Sequence, residues 1–419
     1  MYVKCSALYV GQGAANLIEI YKNKGDQRAA GLILIDFGSA GKKGSTTGGT
    51  SGKEDEPNHC FSFDYISDVL YKNTQKLDLL ILSHLDEDHI NMIPDLIEEK
   101  RLSKIDSTII GGTNRGISDR IHPFTKGSRM KKNVSPLVSK LARAVTGVCG
   151  DIRLFTADDG YLDCDQSIYT KKIGGEQFTL KLLANRSTPS VKGASEFINS
   201  NSSVTVGEYR GAGKHYAFIF PGDATSDTFR FINRRFKDPQ KRAKYTFLNA
   251  EKKILIMPHH SALRTACNGE KIKRDIKLEE QLSETKYFAD TVCPSCIYAS
   301  AHYNAKRYFH PNLNSLGVFE KHTEDADSHH VFGFELQMDG GYPQCREKRY
   351  KPKYNLKTTD CKKRTYTSHS VQEPISVASA SYNGAAAHRI TTLSKKHHVF
   401  GNLVCEIDQG KINCAYNPL

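Results

Sequence analysis

Four side chains of metal-binding type lie within six consecutive residues of this chain. They belong to the segment His84-Leu85-Asp86-Glu87-Asp88-His89. Imidazole and carboxylate ligands together suit zinc, manganese or iron rather than calcium. Without a cation, four such groups on one turn would repel one another or stay solvated. A polar turn that caps a helix is the alternative, but capping requires only one such residue. The segment therefore predicts a metal site.

The residues on either side of this turn are expected to form a strand and a helix. Leu77 to Leu82 is a short, almost wholly apolar run, which is typical of a buried strand. Residues 90–100 have apolar side chains at helical spacing and begin beside acidic residues, which suit a helix N-terminus. A tight strand-to-helix turn would aim the four polar side chains at one point.

Ligand-type residues also follow other predicted strands. These are Asp36 after residues 32–35, Asp223 after residues 215–220, and His259 and His260 after residues 252–257. Further strands are expected at 2–10, 15–21, 107–111, 177–184 and 203–209, with helices at 61–72 and 225–236. Alternating strands and helices with polar residues at strand ends predict a layered α/β enzyme.

Composition narrows the class of protein. The 419 residues are 38% hydrophobic and 25% charged, which is ordinary for a globular protein, and the net charge of +13 favours polyanionic partners. The sequence has no apolar run long enough to cross a bilayer and no signal-peptide pattern at its start. We therefore expect a cytoplasmic protein without a membrane partner, and its eleven cysteines as reduced thiols.

Several further motifs occur together with the turn, in a fixed order. They are Val10-Gly11-Gln12-Gly13, Ile33-Leu34-Ile35-Asp36-Phe37-Gly38, Asn201-Ser202-Ser203-Val204, Pro221-Gly222-Asp223, Pro258-His259-His260-Ser261, Tyr303-Asn304 and His310-Pro311. With this ordered set, spanning about residues 3–340, the chain resembles the metallo-β-lactamase superfamily. Within it, the chain is most similar to the ComEC-like branch, typified by the hydrolase domain of a competence protein.

The resemblance implies an αββα sandwich with two divalent metal ions, zinc or manganese, at the edge between two sheets. By motif, one metal would be held by His84 and Asp86. The second would be held by Asp88, His89 and His259, with Asp223 bridging the two ions. Such a pair of ions would make water a nucleophile near neutral pH and stabilise a phosphoryl or acyl transition state.

Other residues receive supporting roles from the same resemblance. Asp36 would orient ligands. Asn201 and Ser203 stand where most relatives have a third histidine on the first metal, and Asp86 stands where many have a histidine. An oxygen-richer first site should shift the metal preference towards manganese. Of the neighbours His259 and His260, only one is expected to face the metals, and the sequence does not say which.

Catalytic roles are assigned to three residues. His302 or His310 could donate a proton to the leaving group or hold the scissile phosphate, although a structural or surface histidine is the alternative for each. Asp88 is included because its replacement should abolish metal-dependent cleavage.

A basic segment, Tyr342 to Tyr366, is the second functional indication. Its cations are Arg346, Lys348, Arg349, Lys351, Lys353, Lys357, Lys362, Lys363 and Arg364, against the acids Glu347 and Asp360. Interleaved tyrosines could stack on bases while the cations contact phosphates, which predicts a nucleic-acid surface. A solvated basic linker is the alternative.

The domain organisation follows from these segments. We expect a hydrolase domain over 1–341, with a flexible insert at 39–58 and a loosely patterned basic insertion at 111–150, followed by 342–419. His329-His330-Val331-Phe332-Gly333 returns as His397-His398-Val399-Phe400-Gly401, which predicts a duplicated strand–helix–strand extension over 297–340 and 376–415. Chance similarity is the alternative. The pair Cys293 and Cys296 is expected to be buried thiols, with a zinc site completed by Cys267, Cys345 or Cys361 as the alternative.

Three functions are compatible with the sequence. The first is a metal-dependent phosphodiesterase that cleaves DNA or RNA, in the manner of a bacterial defence effector, with a regulatory protein partner or a homo-oligomer left open. The second is a small-molecule hydrolase of the same superfamily, acting on a lactam, a lactone, a phosphocholine ester or a cyclic nucleotide. The third is a non-catalytic nucleic-acid-binding subunit, which the intact set of ligand residues disfavours.

Overall fold

The structure is a computed structural model, and it describes the greater part of the chain. The described residues are 1–10, 13–40, 60–111, 124, 135–154, 167–185, 199–262, 266–267, 278–300, 315, 318–319, 322, 332–333 and 401–418.

The strands in these residues form two mixed sheets. The strands are β1 (Tyr2–Ala7), β2 (Ala15–Tyr21), β3 (Gly31–Phe37), β4 (Lys76–Leu82), β5 (Lys104–Ile110), β6 (Cys149–Leu154), β7 (Ser167–Ile173), β8 (Glu176–Ala184), β9 (Val204–Gly211), β10 (Lys214–Phe220), β11 (Lys252–Ile256), β12 (Cys296–Ser300), β13 (Phe332–Gly333), β14 (Gly401–Asp408) and β15 (Lys411–Pro418). The first sheet has the order β15-β14-β1-β2-β3-β4-β5-β6, and the second has the order β13-β12-β11-β10-β9-β8-β7.

The α-helices of the described part follow the strands of both sheets. They are α1 (Cys60–Lys72), α2 (Glu87–Ile90), α3 (Ile93–Glu98), α4 (Pro136–Val148), α5 (Ser226–Phe236), α6 (Pro239–Arg242), α7 (Leu278–Gln281) and α8 (Ser283–Val292). Short 3-10 turns cover Thr246–Asn249 and Pro258–Ser261. None of the helices in the described residues is long and apolar enough to cross a membrane.

Three apolar layers hold the sheets and helices together. Alternate residues of a strand point to opposite faces, so that Ile33 and Ile35 of β3 face the second sheet while Leu32 and Leu34 face α1 and α3. On the other side, Phe229 of α5 packs with the outer face of the second sheet. The layers are therefore helix, sheet, sheet and helix, which confirms the predicted α/β sandwich.

Two segments differ from the expectation. Residues 90–100 form two short helices rather than one, because Pro94 is the second residue of α3 and cannot donate a backbone hydrogen bond into a continuous helix. The segment 111–150, expected to be loosely patterned, ends in the amphipathic helix α4. This helix begins at a Ser135 cap and buries Val138, Leu141, Ala142 and Val145.

The last described strands lie far along the chain from their neighbours. The strand β14 pairs antiparallel with β1, and β15 pairs with β14, so both complete the first sheet. The last two residues of the first copy of the repeated motif form β13, which instead lies in the second sheet beside β12. Most of the two repeat copies, the insert 39–58 and the segment 342–366 fall outside the described residues, and the domain division stays a prediction.

The expectation of reduced cysteines is wrong for one pair. Cys405 and Cys414 face each other across the β14–β15 hairpin and form a disulfide. The other cysteines whose side chains are described, Cys5, Cys149, Cys267, Cys293 and Cys296, are free thiols. Cys293 is exposed rather than buried.

Candidate metal centre

The predicted metal ligands meet at one edge of the sandwich. In the first sheet, β3 and β4 are parallel, and Asp36 and His84 lie at or just beyond their carboxyl ends. In the second sheet, β10 and β11 are parallel, and Asp223 and His259 follow their carboxyl ends. Because both sheets present carboxyl ends at this edge, residues from four distant parts of the chain come together there.

The Asp223 carboxylate lies at the centre of this group and is 2% exposed. Its Oδ2 atom is 3.6 Å from Nε2 of His84 and 3.4 Å from Nε2 of His259. Its Oδ1 atom is 2.9 Å from Nε2 of His89 and 3.8 Å from Nε2 of His260. Four imidazoles therefore face one carboxylate, two on each of its oxygens.

The two other aspartates of the turn lie on opposite sides of this centre. Asp86 Oδ2 is 3.7 Å from His84 Nε2, on the side of the Asp223 Oδ2 atom. Asp88 Oδ2 is 3.4 Å from His260 Nε2, on the side of the Oδ1 atom. The ligand atoms of His84, His89 and Asp223 lie within 4.8 Å of one another, as do those of Asp88, His89 and His260.

Asp36 and Ser83 orient two of these histidines. Asp36 Oδ2 lies 2.9 Å from Nδ1 of His89 and also accepts a 2.6 Å hydrogen bond from the Ser83 hydroxyl. The same hydroxyl lies 3.0 Å from Nδ1 of His84. With a proton on each Nδ1, both rings keep the Nε2 lone pair directed at Asp223, as metal-binding histidines require. The predicted orienting role of Asp36 fits this geometry.

The backbone of the Pro258–Ser261 turn explains how two neighbouring histidines reach the same centre. His259, His260 and Ser261 have φ values of 45°, 52° and 63°, in the left-handed region that costs a non-glycine residue about 1–2 kcal/mol. The His259 amide donates to the Gly222 carbonyl, which ties the turn to the end of β10. His260 Nδ1 lies 2.7 Å from the Ser300 carbonyl. The expectation that only one of the two histidines faces the centre is therefore wrong.

Two glycines allow the loops behind the turn to pack closely against it. A β-carbon on Gly38 would lie 2.6 Å from the amide nitrogen of His89. A β-carbon on Gly13 would lie 2.1 Å from the Gly38 carbonyl oxygen, and the next residue, Ala14, donates its amide to the Asp88 carbonyl. The two glycines thus let their loops lie directly against the backbone of the turn from His84 to His89.

Electrostatics in the centre follow from burial and mutual contact. Burial, reinforced by His89, lowers the pKa of His84, so this ring is neutral at pH 7 and can offer a lone pair. Burial also opposes the charged form of His89, but Asp223 and Asp36 outweigh it and raise its pKa well above the usual value. Burial opposes the charged form of Asp223, and the surrounding histidines outweigh it and hold its pKa well below the usual range.

The residues present fit a divalent cation. His84 Nε2 is buried and has no hydrogen-bond partner, and His89 Nε2 and Asp223 Oδ1, 2.9 Å apart, are buried with it. Buried polar atoms without partners cost free energy, and a shared cation removes this cost. The donor set of imidazole nitrogens and carboxylate oxygens suits zinc or manganese.

The remaining predicted residues differ in where the structure places them. Ser203 is buried, donates its hydroxyl to Asn185 and its amide to the Ser83 carbonyl, and so supports the turn from behind. Asn201 is also buried in this region. His302, His310 and the basic residues Arg346, Lys348, Arg349, Lys351, Lys353, Lys362, Lys363 and Arg364 lie outside the described residues.

Sequence reasoning missed Ser83, Asn185 and the Ser300 carbonyl. Ser83 could have been found, because it lies between the end of β4 and the first ligand, where a hydroxyl can reach a ring nitrogen. Asn185 and Ser300 are 102 and 217 positions further along the chain from Ser83, and only the sheet pairing brings them near. No sequence pattern marks these two contacts.

Comparisons with known proteins found no matching family model and no matching curated protein. Among solved structures, the chain is similar to the metallo-β-lactamase fold protein YhfI from Bacillus subtilis, with 12% identity over 77% of this chain and 94% of that chain and a TM-score of 0.33. It is also similar to unliganded yeast PDE1, with 8% identity over 76% and 93% of the two chains and a TM-score of 0.38.

A third similar structure is the metallo-β-lactamase GOB-18 from Elizabethkingia meningoseptica. The identity is 14% over 68% of this chain and 84% of that chain, with a TM-score of 0.28. The description of the sandwich therefore rests on its own strand pairing, and that of the candidate metal centre on its side-chain contacts.

Proposed function

We propose that this protein is a metal-dependent phosphodiesterase that cleaves nucleic acid. The observation that carries the proposal is the Asp223 carboxylate with four histidine Nε2 atoms within 3.8 Å. Asp86 and Asp88 add a carboxylate on each side. Such a cluster would accommodate two divalent cations among these side chains.

The two proposed positions use different side chains of the chain. His84, Asp86 and His259 would hold one ion on the Oδ2 side of Asp223. Asp88, His89 and His260 would hold the other ion on the Oδ1 side. When bound, two such ions activate water near neutral pH and stabilise the charge of a phosphoryl transition state.

The chain's own residues prepare this centre before any substrate arrives. Asp36 contacts Nδ1 of His89, and the Ser83 hydroxyl contacts Nδ1 of His84, which orients both rings so that their Nε2 atoms point to Asp223 and would serve as ligands when a cation displaces any proton there. Ser300 holds His260 through its carbonyl. The rigid strand ends on which these residues lie keep the reacting groups in place, which is the main requirement for a phosphoryl-transfer site.

The preference for nucleic acid rests on charge. The chain has 59 Lys and Arg against 46 Asp and Glu, and a basic protein attracts polyphosphates at low ionic strength. A phosphodiester is also the substrate whose non-bridging oxygens match two neighbouring cations.

A cleavage assay tests the proposal. Protein loaded with Mn²⁺ or Zn²⁺ is incubated with end-labelled single- and double-stranded DNA and RNA, and products are separated on gels. We expect cleavage of at least one of these substrates. Asp88→Ala should lower its rate at least about a hundredfold, because the loss of a ligand group removes about 3 kcal/mol or more of transition-state stabilisation.

Asp106→Ala is the matched control, because Asp106 is a half-buried aspartate of β5 that pairs with Lys76, away from the candidate metal centre. It should cleave like the wild type. The proposal fails if metal-loaded wild type leaves all four nucleic acids intact, or if Asp88→Ala cleaves at the wild-type rate.

A further inference from the structure

A second cationic segment lies in the part of the chain that the structure describes, on and after the helix that begins three residues past Asp223. Residues 230–244 contain seven cations and one acid, Asp238, an excess of six positive charges. The cations are Arg230, Arg234, Arg235, Lys237, Lys241, Arg242 and Lys244. They lie on α5, on α6 and in the residues that follow each helix. We call this the α5–α6 surface.

Most of these cations are open to solvent. Arg234, Lys237 and Arg242 are exposed, and none of them forms an ion pair with a described residue. Other lysines of the described surface do have acidic partners, as Lys140 has Glu98 and Lys214 has Glu251. Residues 234–242 thus bring three cations without an acidic partner among the described residues into one short stretch.

Aromatic rings lie under two of these cations. The Arg235 guanidinium lies 4.4 Å from the ring centre of Phe231, and Lys237 Nζ lies 4.7 Å from that of Tyr287 on α8. These contacts hold the charged groups in place without cancelling their charge. Arg230, by contrast, is neutralised by Asp227 and lies 3.6 Å from Glu284, so it is not counted in the binding set.

The direction of α5 connects this surface to the metal centre. The helix begins at Ser226, three residues after Asp223, and its eleven residues run about 16 Å away from that end. Phosphates of one DNA strand are about 3.4 Å apart along the duplex axis, so about four or five of them span this length. A strand whose reacting phosphate lies at Asp223 can therefore place later phosphates over Arg234 and Lys237.

We propose that the α5–α6 surface, and in particular Arg234, Lys237 and Arg242, binds the phosphate backbone of the nucleic-acid substrate. This inference rests on the proposed function and assigns the substrate contact to a segment other than 342–366. A backbone contact without base recognition gives affinity that depends on salt but little on sequence. A membrane surface would also attract cations, but the large apolar residue that is exposed among the described residues, Tyr71, lies on α1 and not on the α5–α6 surface.

The test measures binding without cleavage, in the Asp88→Ala protein. Fluorescence anisotropy with a labelled DNA oligonucleotide is recorded at salt concentrations from about 50 to 300 mM. The triple variant Arg234→Gln, Lys237→Gln and Arg242→Gln should weaken binding at least about tenfold. It should also reduce the slope of log K against log salt by about two to three, because each lost phosphate contact removes about 0.7–0.9.

The matched control changes the same net charge at paired positions. Lys104→Gln, Lys140→Gln and Lys214→Gln should leave the salt slope within error of the parent protein, since each of these lysines already has an acidic partner. An unchanged slope in the first triple variant, or an equal loss in the control, overturns the proposal. Stronger binding of the parent protein to phosphatidylserine vesicles than to DNA also overturns it.

A second measurement separates this inference from the proposed function. Hydrolysis of a small phosphodiester, bis(p-nitrophenyl) phosphate, by the metal-loaded wild-type protein reports on the metal centre alone. If the wild type hydrolyses this compound and the triple variant binds DNA with an unchanged salt slope, the proposed function is kept and the role of the α5–α6 surface is rejected. If instead the triple variant loses salt-dependent binding while the wild type hydrolyses no substrate, the α5–α6 surface remains a nucleic-acid contact and the phosphodiesterase proposal is rejected.

Discussion

At the scale of single residues, one carboxylate serves two ligands. Asp36 contacts His89 directly and His84 through the Ser83 hydroxyl. Asp36 itself has a φ of 56°, a conformation that aspartate tolerates better than most residues. The Ser83 amide also donates to Asp36, so the carboxylate fixes the backbone from which the ligand turn begins.

We expect Asp36→Asn to lower the affinity for Mn²⁺ or Zn²⁺ by about 10- to 100-fold, the usual cost of losing a partner that orients a metal-binding histidine. Both carboxylate oxygens of Asp36 accept hydrogen bonds, one from the Ser83 amide and the other from the Ser83 hydroxyl beside His89. An asparagine side chain has only one accepting oxygen and cannot replace both. Isothermal titration calorimetry on metal-free protein measures the change.

Asp78→Asn is the control for this prediction. Asp78 is likewise an aspartate of the first sheet that accepts a backbone amide, that of Leu32, but it lies in β4 away from the ligand turn. Its replacement should leave metal affinity unchanged. Equal metal affinity in Asp36→Asn and the wild type would show that Asp36 does not orient the ligands.

The sequence predicted the ligand types but not the full ligand set. The turn from His84 to His89 is local, and its chemistry is evident from spacing alone. The participation of both His259 and His260 depends on three successive left-handed residues, none of them glycine. Sequence patterns report such strained backbone only where glycine marks it, so the second histidine could not be predicted.

At the scale of elements, the strands buried on both faces were predicted well because their apolar runs are local. The position of β14 beside β1 was not predicted, because the two strands are far apart in the chain. In their register Cys405 lies opposite Cys5, 400 positions away, and no turn signal links the two strands. The Pro258–Ser261 turn is likewise held in part by β12, whose Ser300 carbonyl lies 2.7 Å from His260 Nδ1.

Strand β9 contains a buried carboxylate with a measurable effect on stability. Glu208 is 2% exposed and accepts from His215, Lys181 and Thr246 at 2.8, 3.0 and 2.9 Å. Burial raises its pKa, but His215 and Lys181 outweigh burial and lower the pKa from 4.5 to about 2. The carboxylate therefore stabilises the fold above pH 4.5, and this contribution is lost as the pH falls towards 2.

We expect Glu208→Gln to lower the free energy of unfolding at pH 7 by up to about 3 kcal/mol. The difference from the wild type should shrink as the pH falls from 4.5 to 2, because wild-type Glu208 then becomes protonated. Urea unfolding at several pH values measures it. Glu251→Gln, at an exposed pair with Lys214, should show almost no difference at any pH. A difference that stays constant with pH would contradict the assigned role of Glu208.

At the scale of the whole molecule, the sandwich brings together ligands that are distant in sequence. The inner core joins Ile35 and Ile81 of the first sheet with Phe220 and Ile254 of the second, directly beneath the metal centre. The same architecture directs α5 and its cations away from Asp223. Helix α5 thus links the candidate metal centre at its start to the α5–α6 surface at its end.

The central claim is that Asp223 gathers two cations between its four histidines. Its most direct test is the metal content of purified protein after dialysis against a chelator, reloading with Mn²⁺ or Zn²⁺ and removal of free metal. We expect about two ions per wild-type chain, about one in His259→Ala or in His260→Ala, and none in Asp223→Ala. A wild type that retains no ion, or an Asp223→Ala variant that retains as many as the wild type, would contradict the account.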